Sequence, residues 1–198
     1  MSDDPKERIL RAAMRCFADK GYAATTMADI EQAAGFQPRT GGTYRHFRSK
    51  FAILDAALDA ELSARDEAAA AASSDAGSVL ETARAALRTL DDQRDLMKVL
   101  FRDLDAFPEL FERMSERLIQ STYRETADRI ASLSSGSPGV DAEAIAAVTV
   151  GSLVNFKIIE AFTGRTPNDV DDERFAQAWA MIVTAATTAG AASQQVPS

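Results

Sequence analysis

Cysteine and histidine each occur only once in this sequence of 198 residues, as Cys16 and His46. A single cysteine cannot form a disulfide within the chain, and such usage is typical of a reducing compartment. His46 has no second histidine or cysteine nearby in the sequence with which to hold a metal ion. The sequence therefore predicts a cytoplasmic protein with no metal site and no cofactor.

Long hydrophobic runs and strand-like patterns are also missing. No segment approaches the about 18 uninterrupted apolar residues of a membrane span, so we expect no membrane partner. Apolar and polar residues do not alternate with a period of two, which excludes most β architectures. Glycine-rich phosphate loops and nucleophile elbows are absent as well, so we predict no catalytic residues and no enzyme. An all-α fold is expected.

Charge is distributed unevenly along the chain. The net charge is −8, yet residues 1–50 contain nine Lys or Arg against six Asp or Glu. Residues 35–50 contain Arg39, Arg45, Arg48 and Lys50 and no acidic residue. An acidic chain with one basic segment is suited to meeting phosphate groups with that segment.

The basic segment lies in a pattern of short helices. Apolar residues at helical spacing predict a first helix over about residues 5–20. Thr26 and Asp29 have the spacing of a capping box that begins a second helix, and Gly35 is suited to end it. A further short helix should end with residues 44–47, and Ser49 is suited to cap the next. Two short helices joined by a glycine turn form a helix-turn-helix, whose second helix can enter a DNA major groove.

Many residues agree at fixed spacing with one known motif. They are Ile9, Ala12–Ala13, Phe17, Gly21–Tyr22, Thr25–Thr26, Asp29–Ile30, Ala33–Gly35, Gly41, Tyr44–Phe47 and Ser49–Lys50. Together they make residues 6–55 resemble the DNA-binding domain of the TetR family of bacterial transcriptional regulators. The resemblance has departures: Gln37–Pro38 is an insertion, and Thr43 and Phe51 stand where the family has leucine and glutamate.

The predicted DNA contacts all come from this motif. They are Thr26, Gln37, Pro38, Arg39, Thr40, Gly41, Gly42, Tyr44, Arg45, His46 and Lys50. Arg39 would lie at the start of the recognition helix, where a guanidinium can bind a guanine through two hydrogen bonds. The resemblance implies phosphate or groove contacts for Thr26, Tyr44, His46 and Lys50. For Tyr44 and His46, packing within the domain is the alternative.

Two domains are predicted. Residues 1–48 would form the three-helix DNA-binding domain, and residues 49–198 a larger helical bundle for effector binding and dimerisation, with the helix at about 49–72 as connector. The last two helices, about 141–163 and 171–190, are apolar over more than half their circumference. Such helices need partners on two sides, which a homodimer would supply; the alternative is that this surface is internal core.

Aromatic and methionine side chains are concentrated in the second domain, which in TetR regulators encloses an effector pocket. The predicted lining is Met97, Phe101, Phe107, Phe111, Met114, Tyr123, Phe156 and Trp179. Core packing is the alternative for each of them. The sequence thus predicts a homodimeric repressor that a small-molecule effector releases from a near-palindromic operator. The alternatives are a helical small-molecule-binding protein that has lost operator binding, and an all-helical enzyme.

Overall fold

The computed structural model describes residues 4–37, 42–71, 77–134 and 139–192. Within these ranges the structure is helical and has no strand, which confirms the predicted all-α fold. The α-helices are α1 (Pro5–Lys20), α2 (Met27–Ala33), α3 (Lys50–Ala71), α4 (Val79–Asp92), α5 (Arg94–Arg102), α6 (Pro108–Met114), α7 (Ser121–Leu133), α8 (Ala142–Thr163) and α9 (Asp172–Ala192). A π-helical segment, Ser115–Gln120, connects α6 to α7.

The first helix has the limits that its sequence predicts. The carboxylate of Asp4 accepts a hydrogen bond from the Lys6 N–H at 2.9 Å, and Pro5 occupies the first turn, where a missing N–H does no harm. Gly21 ends the helix with a φ of 87°, a conformation that glycine adopts most readily. The buried stripe of α1 includes Ile9 and Phe17, both fully inaccessible to solvent.

One compact unit consists of Met1–Ala72 and Asp95–Met114. Here α1 packs on α2 and α3, and α3 packs on α6. The guanidinium of Arg102 donates hydrogen bonds to the carbonyls of Phe17 and, at 3.1 Å, Ala18, both in the last turn of α1. These contacts group residues 95–114 with the N-terminal helices. The functional boundary after residue 48 remains a prediction.

Aromatic side chains brace the connection between α1 and α2 in this unit. The ring of Tyr22 lies 5.3 Å from that of Phe17 and 4.7 Å from that of Phe107, measured between centroids. Phe107 in turn lies 5.7 Å from Phe51 at the start of α3. Aromatic pairs at these separations are favourable beyond the area they bury.

The other compact unit consists of Ser73–Arg94 and Ser115–Ser198. In it α7 packs on α8, α4 packs on α8 and α9, and α8 contacts α9. The core cluster consists of Ala83, Leu87, Leu153, Phe156, Ala176, Trp179 and Val183. The indole N–H of Trp179 donates to the carbonyl of Thr149 at 3.0 Å, so the one polar atom of this side chain has a partner.

A buried ammonium group connects the ends of three helices in the second unit. The side chain of Lys157 is only 3% exposed, and its Nζ lies 2.9 Å from Asp91, 3.0 Å from Glu160 and 2.7 Å from Asp172. Asp91 is on α4, Glu160 on α8 and Asp172 on α9. We call these four residues the Lys157 cluster.

Helix α8 is long and apolar enough, by length and composition, to cross a membrane. It packs within its unit through the buried side chains of Leu153 and Phe156, and it carries Lys157 with its ion pairs. A core helix of a globular unit has the same composition, and we interpret α8 as such a helix.

Candidate nucleic-acid interface

The predicted capping box at the start of α2 is present. The Thr26 hydroxyl accepts a hydrogen bond from the Asp29 N–H at 3.2 Å, and the Asp29 carboxylate accepts one from the Thr26 N–H at 2.8 Å. Lys20 also donates to Asp29 at 2.6 Å, and this bond together with those from Thr26 holds the pKa of the Asp29 carboxyl well below its usual range. The Thr26 hydroxyl is therefore part of the helix cap.

Gly35 ends α2 as predicted, with a φ of 77°. The turn that follows is fixed from α1. Arg8 donates to the carbonyl of Ala34 at 2.7 Å, and its guanidinium lies over the Phe36 ring, 5.0 Å from the centroid. On the far side of the gap in the described chain, Gly42 packs against the same ring: a Cβ at Gly42 would lie 3.2 Å from a Phe36 ring carbon. Phe36 thus lies between α1 and Gly42.

The described part of the second short helix is a single turn. Thr43–Arg45 forms a 3₁₀ helix within the stretch predicted to end the second short helix, and the N–H groups of His46 and Phe47 donate to the Thr43 carbonyl at 3.0 and 2.9 Å. Thr43 and Phe47 are buried, whereas Tyr44 is 56% exposed and Arg45 and His46 are also exposed. This turn presents Tyr44, Arg45 and His46 to solvent, and the buried side chains of Thr43 and Phe47 anchor it.

Four predicted DNA-contacting residues, Pro38, Arg39, Thr40 and Gly41, lie outside the described residues. The neighbouring Gln37 is exposed. The contacts of this stretch with bases stay a prediction from the sequence.

The predicted phosphate contact Lys50 has protein partners. Its Nζ donates to the carbonyls of Tyr22 at 2.6 Å and Thr25 at 2.7 Å, with Ala23 at 3.4 Å. The same ammonium lies 4.2 Å from the centroid of the Tyr22 ring. Lys50 therefore fixes the α1–α2 connection against the start of α3, a role that the sequence pattern did not indicate.

A buried carboxylate is the feature that sequence reasoning missed. Glu31 is 2% exposed, and its Oε1 accepts a hydrogen bond from the Thr43 N–H at 3.3 Å. The signal was present: Glu31 follows Met27 by four residues and precedes Ala34 by three, so it shares the inward face of α2. Because Glu31 is charged, its burial was not predicted.

The predicted effector-lining residues divide between the two compact units. Met97, Phe101, Phe107, Phe111 and Met114 belong to the first, and Tyr123, Phe156 and Trp179 to the second. Phe101 and Phe111 are exposed, whereas Phe156 and Trp179 lie in the second unit's core, where the Phe156 ring stacks on Phe175 with centroids 4.0 Å apart. Neither unit by itself brings the eight together, and their role as a lining stays a prediction.

The fold and the N-terminal turn define a helix-turn-helix protein. Residues 9–57 match the family profile of bacterial regulatory proteins of the tetR family. YvkB of Bacillus subtilis (strain 168), an uncharacterized HTH-type transcriptional regulator, is 29% identical over 111 residues, which are 56% of this chain and 58% of YvkB. The chain spans less than two thirds of the length of the curated relatives it matches.

Solved structures share the fold over almost the whole chain. The fatty acid degradation regulator FadR from Bacillus halodurans has a TM-score of 0.70 at 16% identity, covering 93% of this chain and 96% of its own. FadR from Bacillus subtilis, in complex with stearoyl-CoA, has a TM-score of 0.66 at 14% identity, covering 91% and 98%. At these identities the likeness concerns the fold. The match over residues 9–57 supports the resemblance to the TetR family of bacterial regulatory proteins that the motif predicted.

Proposed function

We propose that this chain is a cytoplasmic transcriptional regulator that binds duplex DNA through its helix-turn-helix, most simply as a homodimeric repressor. The observation that carries the proposal is the exposure of Tyr44, Arg45 and His46 on one anchored turn. That turn lies within residues 35–50, which are basic in a chain of net charge −8. Exposed basic and aromatic side chains on a rigid support suit contact with phosphates and groove edges.

The uncovered face of α8 and α9 supports the homodimer. Val148 on α8 is 68% exposed, and Met181 and Ile182 on α9 are exposed as well. Large apolar side chains exposed on two neighbouring helices indicate an interaction surface. We propose that two copies pair through these helices and present two turns to a near-palindromic operator, with half-sites about 34–36 Å apart or somewhat more.

A small-molecule effector is the third part of the proposal. It would bind in the helical domain after the helix-turn-helix and favour a state that no longer fits the operator. Support comes from the family and from FadR of Bacillus subtilis, whose structure holds stearoyl-CoA. Such an effector shifts the equilibrium only as far as it prefers one state.

The test is selection of duplex DNA by the full chain from a library with a randomised centre. We expect enrichment of one sequence with approximate two-fold symmetry, and two chains per duplex by native mass spectrometry. Recovery of unselected sequences would contradict operator binding. It would favour the alternative of a helical small-molecule-binding protein.

A pair of arginine variants then tests the site. Arg45→Ala should weaken binding to every duplex and reduce the salt dependence of log K by about 0.9, the value of one phosphate contact. The control is Arg165→Ala, which removes an exposed guanidinium of the other compact unit that pairs with Asp169 at 2.8 Å. Equal losses from both variants would contradict the assignment of the site.

A further inference from the structure

Glu31 is a carboxylate in the interior of the helix-turn-helix. At 2% exposure it has lost nearly all contact with water. A carboxylate is retained in such a position only where hydrogen-bond donors compensate for the lost hydration. One of its donors is the N–H of Thr43, at 3.3 Å from Oε1, in a buried contact.

The Thr43 N–H needs this acceptor because of where it lies. It stands at the start of the 3₁₀ turn Thr43–Arg45, and the first N–H groups of a helical turn have no acceptor within the turn. Thr43 is also fully inaccessible to solvent, so water cannot take that place. Glu31 therefore supplies from α2 the acceptor that the beginning of the turn requires.

Thr43 is held at both of its backbone polar groups. Its N–H is bound by Glu31, and its carbonyl accepts from the N–H groups of His46 and Phe47 at 3.0 and 2.9 Å. The side chains that lie between these anchors, on Tyr44 and Arg45, are exposed. A shift of Thr43 relative to α2 would move the exposed side chains with it.

We propose that Glu31 is a positioning residue for DNA recognition: its carboxylate fixes Thr43 and thereby sets the orientation of Tyr44, Arg45 and His46 relative to α2. The inference rests on the proposed function, since it concerns how the same interface reads sequence. Glu31 itself is buried and touches no DNA in this account. Its loss should impair discrimination between sequences more than attraction to phosphate.

The experiment compares three variants of the full chain on two probes. The probes are the duplex that the parent enriches from the random library and a scrambled duplex of equal length and composition. Glu31→Gln keeps an oxygen acceptor for the Thr43 N–H, whereas Glu31→Met has similar length and none. Thr43→Val removes only the Thr43 hydroxyl, whose oxygen is buried without a hydrogen-bond partner among the described residues. The measured quantity is the ratio of the two dissociation constants, by fluorescence anisotropy at fixed salt.

Glu31→Met should lower this specificity ratio by about tenfold or more, which is the effect of one mismatched base pair in the site. Its affinity for the scrambled duplex should be unchanged. Glu31→Gln and Thr43→Val should keep the ratio within about threefold of the parent, as expected of variants that preserve the acceptor. Circular dichroism checks that each variant is folded.

Three results would overturn the inference. The first is an unchanged ratio for Glu31→Met. The second is an equal loss of affinity for both probes in Glu31→Met, which would indicate a structural role alone. The third is a tenfold loss of the ratio for Glu31→Gln, which would show that the acceptor is not what matters. Should Glu31→Met fail to fold, the inference stays falsifiable, because a tenfold loss for Glu31→Gln would still overturn it. Failure of the proposed function is seen separately and earlier, because the parent would then enrich no sequence.

Discussion

Replacing Lys157 by methionine should destabilise the second compact unit substantially. Methionine keeps the length and most of the apolar stem of lysine but removes the ammonium, which is bound to Asp91, Glu160 and Asp172 at 2.7–3.0 Å. The cluster then holds three carboxylates with no cation, and the ends of α4, α8 and α9 lose their common partner.

The size of this loss depends on how deeply the lysine and the three carboxylates are buried. Breaking a fully buried ion pair by removing one partner costs about 3–5 kcal/mol. Here only the lysine is buried, because the carboxyl side chains are 28–45% exposed and water partly solvates them. We therefore expect a loss of about 2–3 kcal/mol, below the fully buried case.

Urea unfolding followed by circular dichroism measures this loss. With a denaturant slope of about 2 kcal/mol/M, the midpoint of the transition should fall by about 1 M. The matched control is Arg165→Met. Arg165 pairs with Asp169, and the two side chains are 74% and 67% exposed. The loss of this pair should change the free energy of unfolding by less than about 1 kcal/mol. An unchanged midpoint for Lys157→Met, or an equal fall for both variants, would refute the reasoning.

The pH dependence gives a second readout of the same cluster. Burial lowers the pKa of Lys157, but the hydrogen bonds that its ammonium donates to Asp172, Asp91 and Glu160 outweigh this effect, so the pKa is raised above the ordinary 10.5. A raised lysine pKa stabilises the fold below pH 10.5, and this contribution is lost as the pH rises through the folded-state pKa. The difference between parent and variant should therefore shrink at high pH.

The other predictions concern single contacts elsewhere. Lys50→Met should lower the stability of the N-terminal unit by about 1–3 kcal/mol, seen as a lower midpoint in urea, because two close hydrogen bonds to carbonyls are lost; no change would contradict the anchoring role. Hydrogen bonds from Arg84 and then Gln177 lower the pKa of Glu173 from 4.5 to about 2, so its contribution is present above pH 4.5 and lost as the pH falls towards 2. Glu173→Gln should flatten the stability profile in that window, and an unaltered acid limb would count against the pair. Gly164 ends α8 with a φ of 74° and open space around its Cβ position, so Gly164→Ala should cost about 1 kcal/mol in thermal unfolding through backbone strain alone; a neutral result would show that the end of α8 relaxes.

The part of the fold that the sequence predicts is set by residues that act on their near neighbours in the chain. Asp4, Pro5 and Gly21 set the limits of α1, and Thr26 with Asp29 set the start of α2. Each of these acts on its own few neighbours, so one sequence suffices to identify it. The all-α fold and the helix-turn-helix followed from such signals together with the family motif.

Contacts between distant residues were beyond that reasoning. The Lys157 cluster joins residues that follow no common spacing, from Asp91 to Asp172. Lys50 looked like a free positive charge, yet its ammonium lies against the carbonyls of the α1–α2 connection. Glu31 shares the inward face of α2, but charge and burial rarely coincide, so its burial was not predicted. In each case a partner far along the chain decides where the charge lies.

The measurement that tests the central claim most directly is the selection from randomised duplex DNA by the intact chain, sequenced after several rounds. A basic turn presented twice by a symmetric pair should return one motif with two inverted half-sites. A recovered pool with no shared motif, from a chain that is folded and dimeric, would contradict the account.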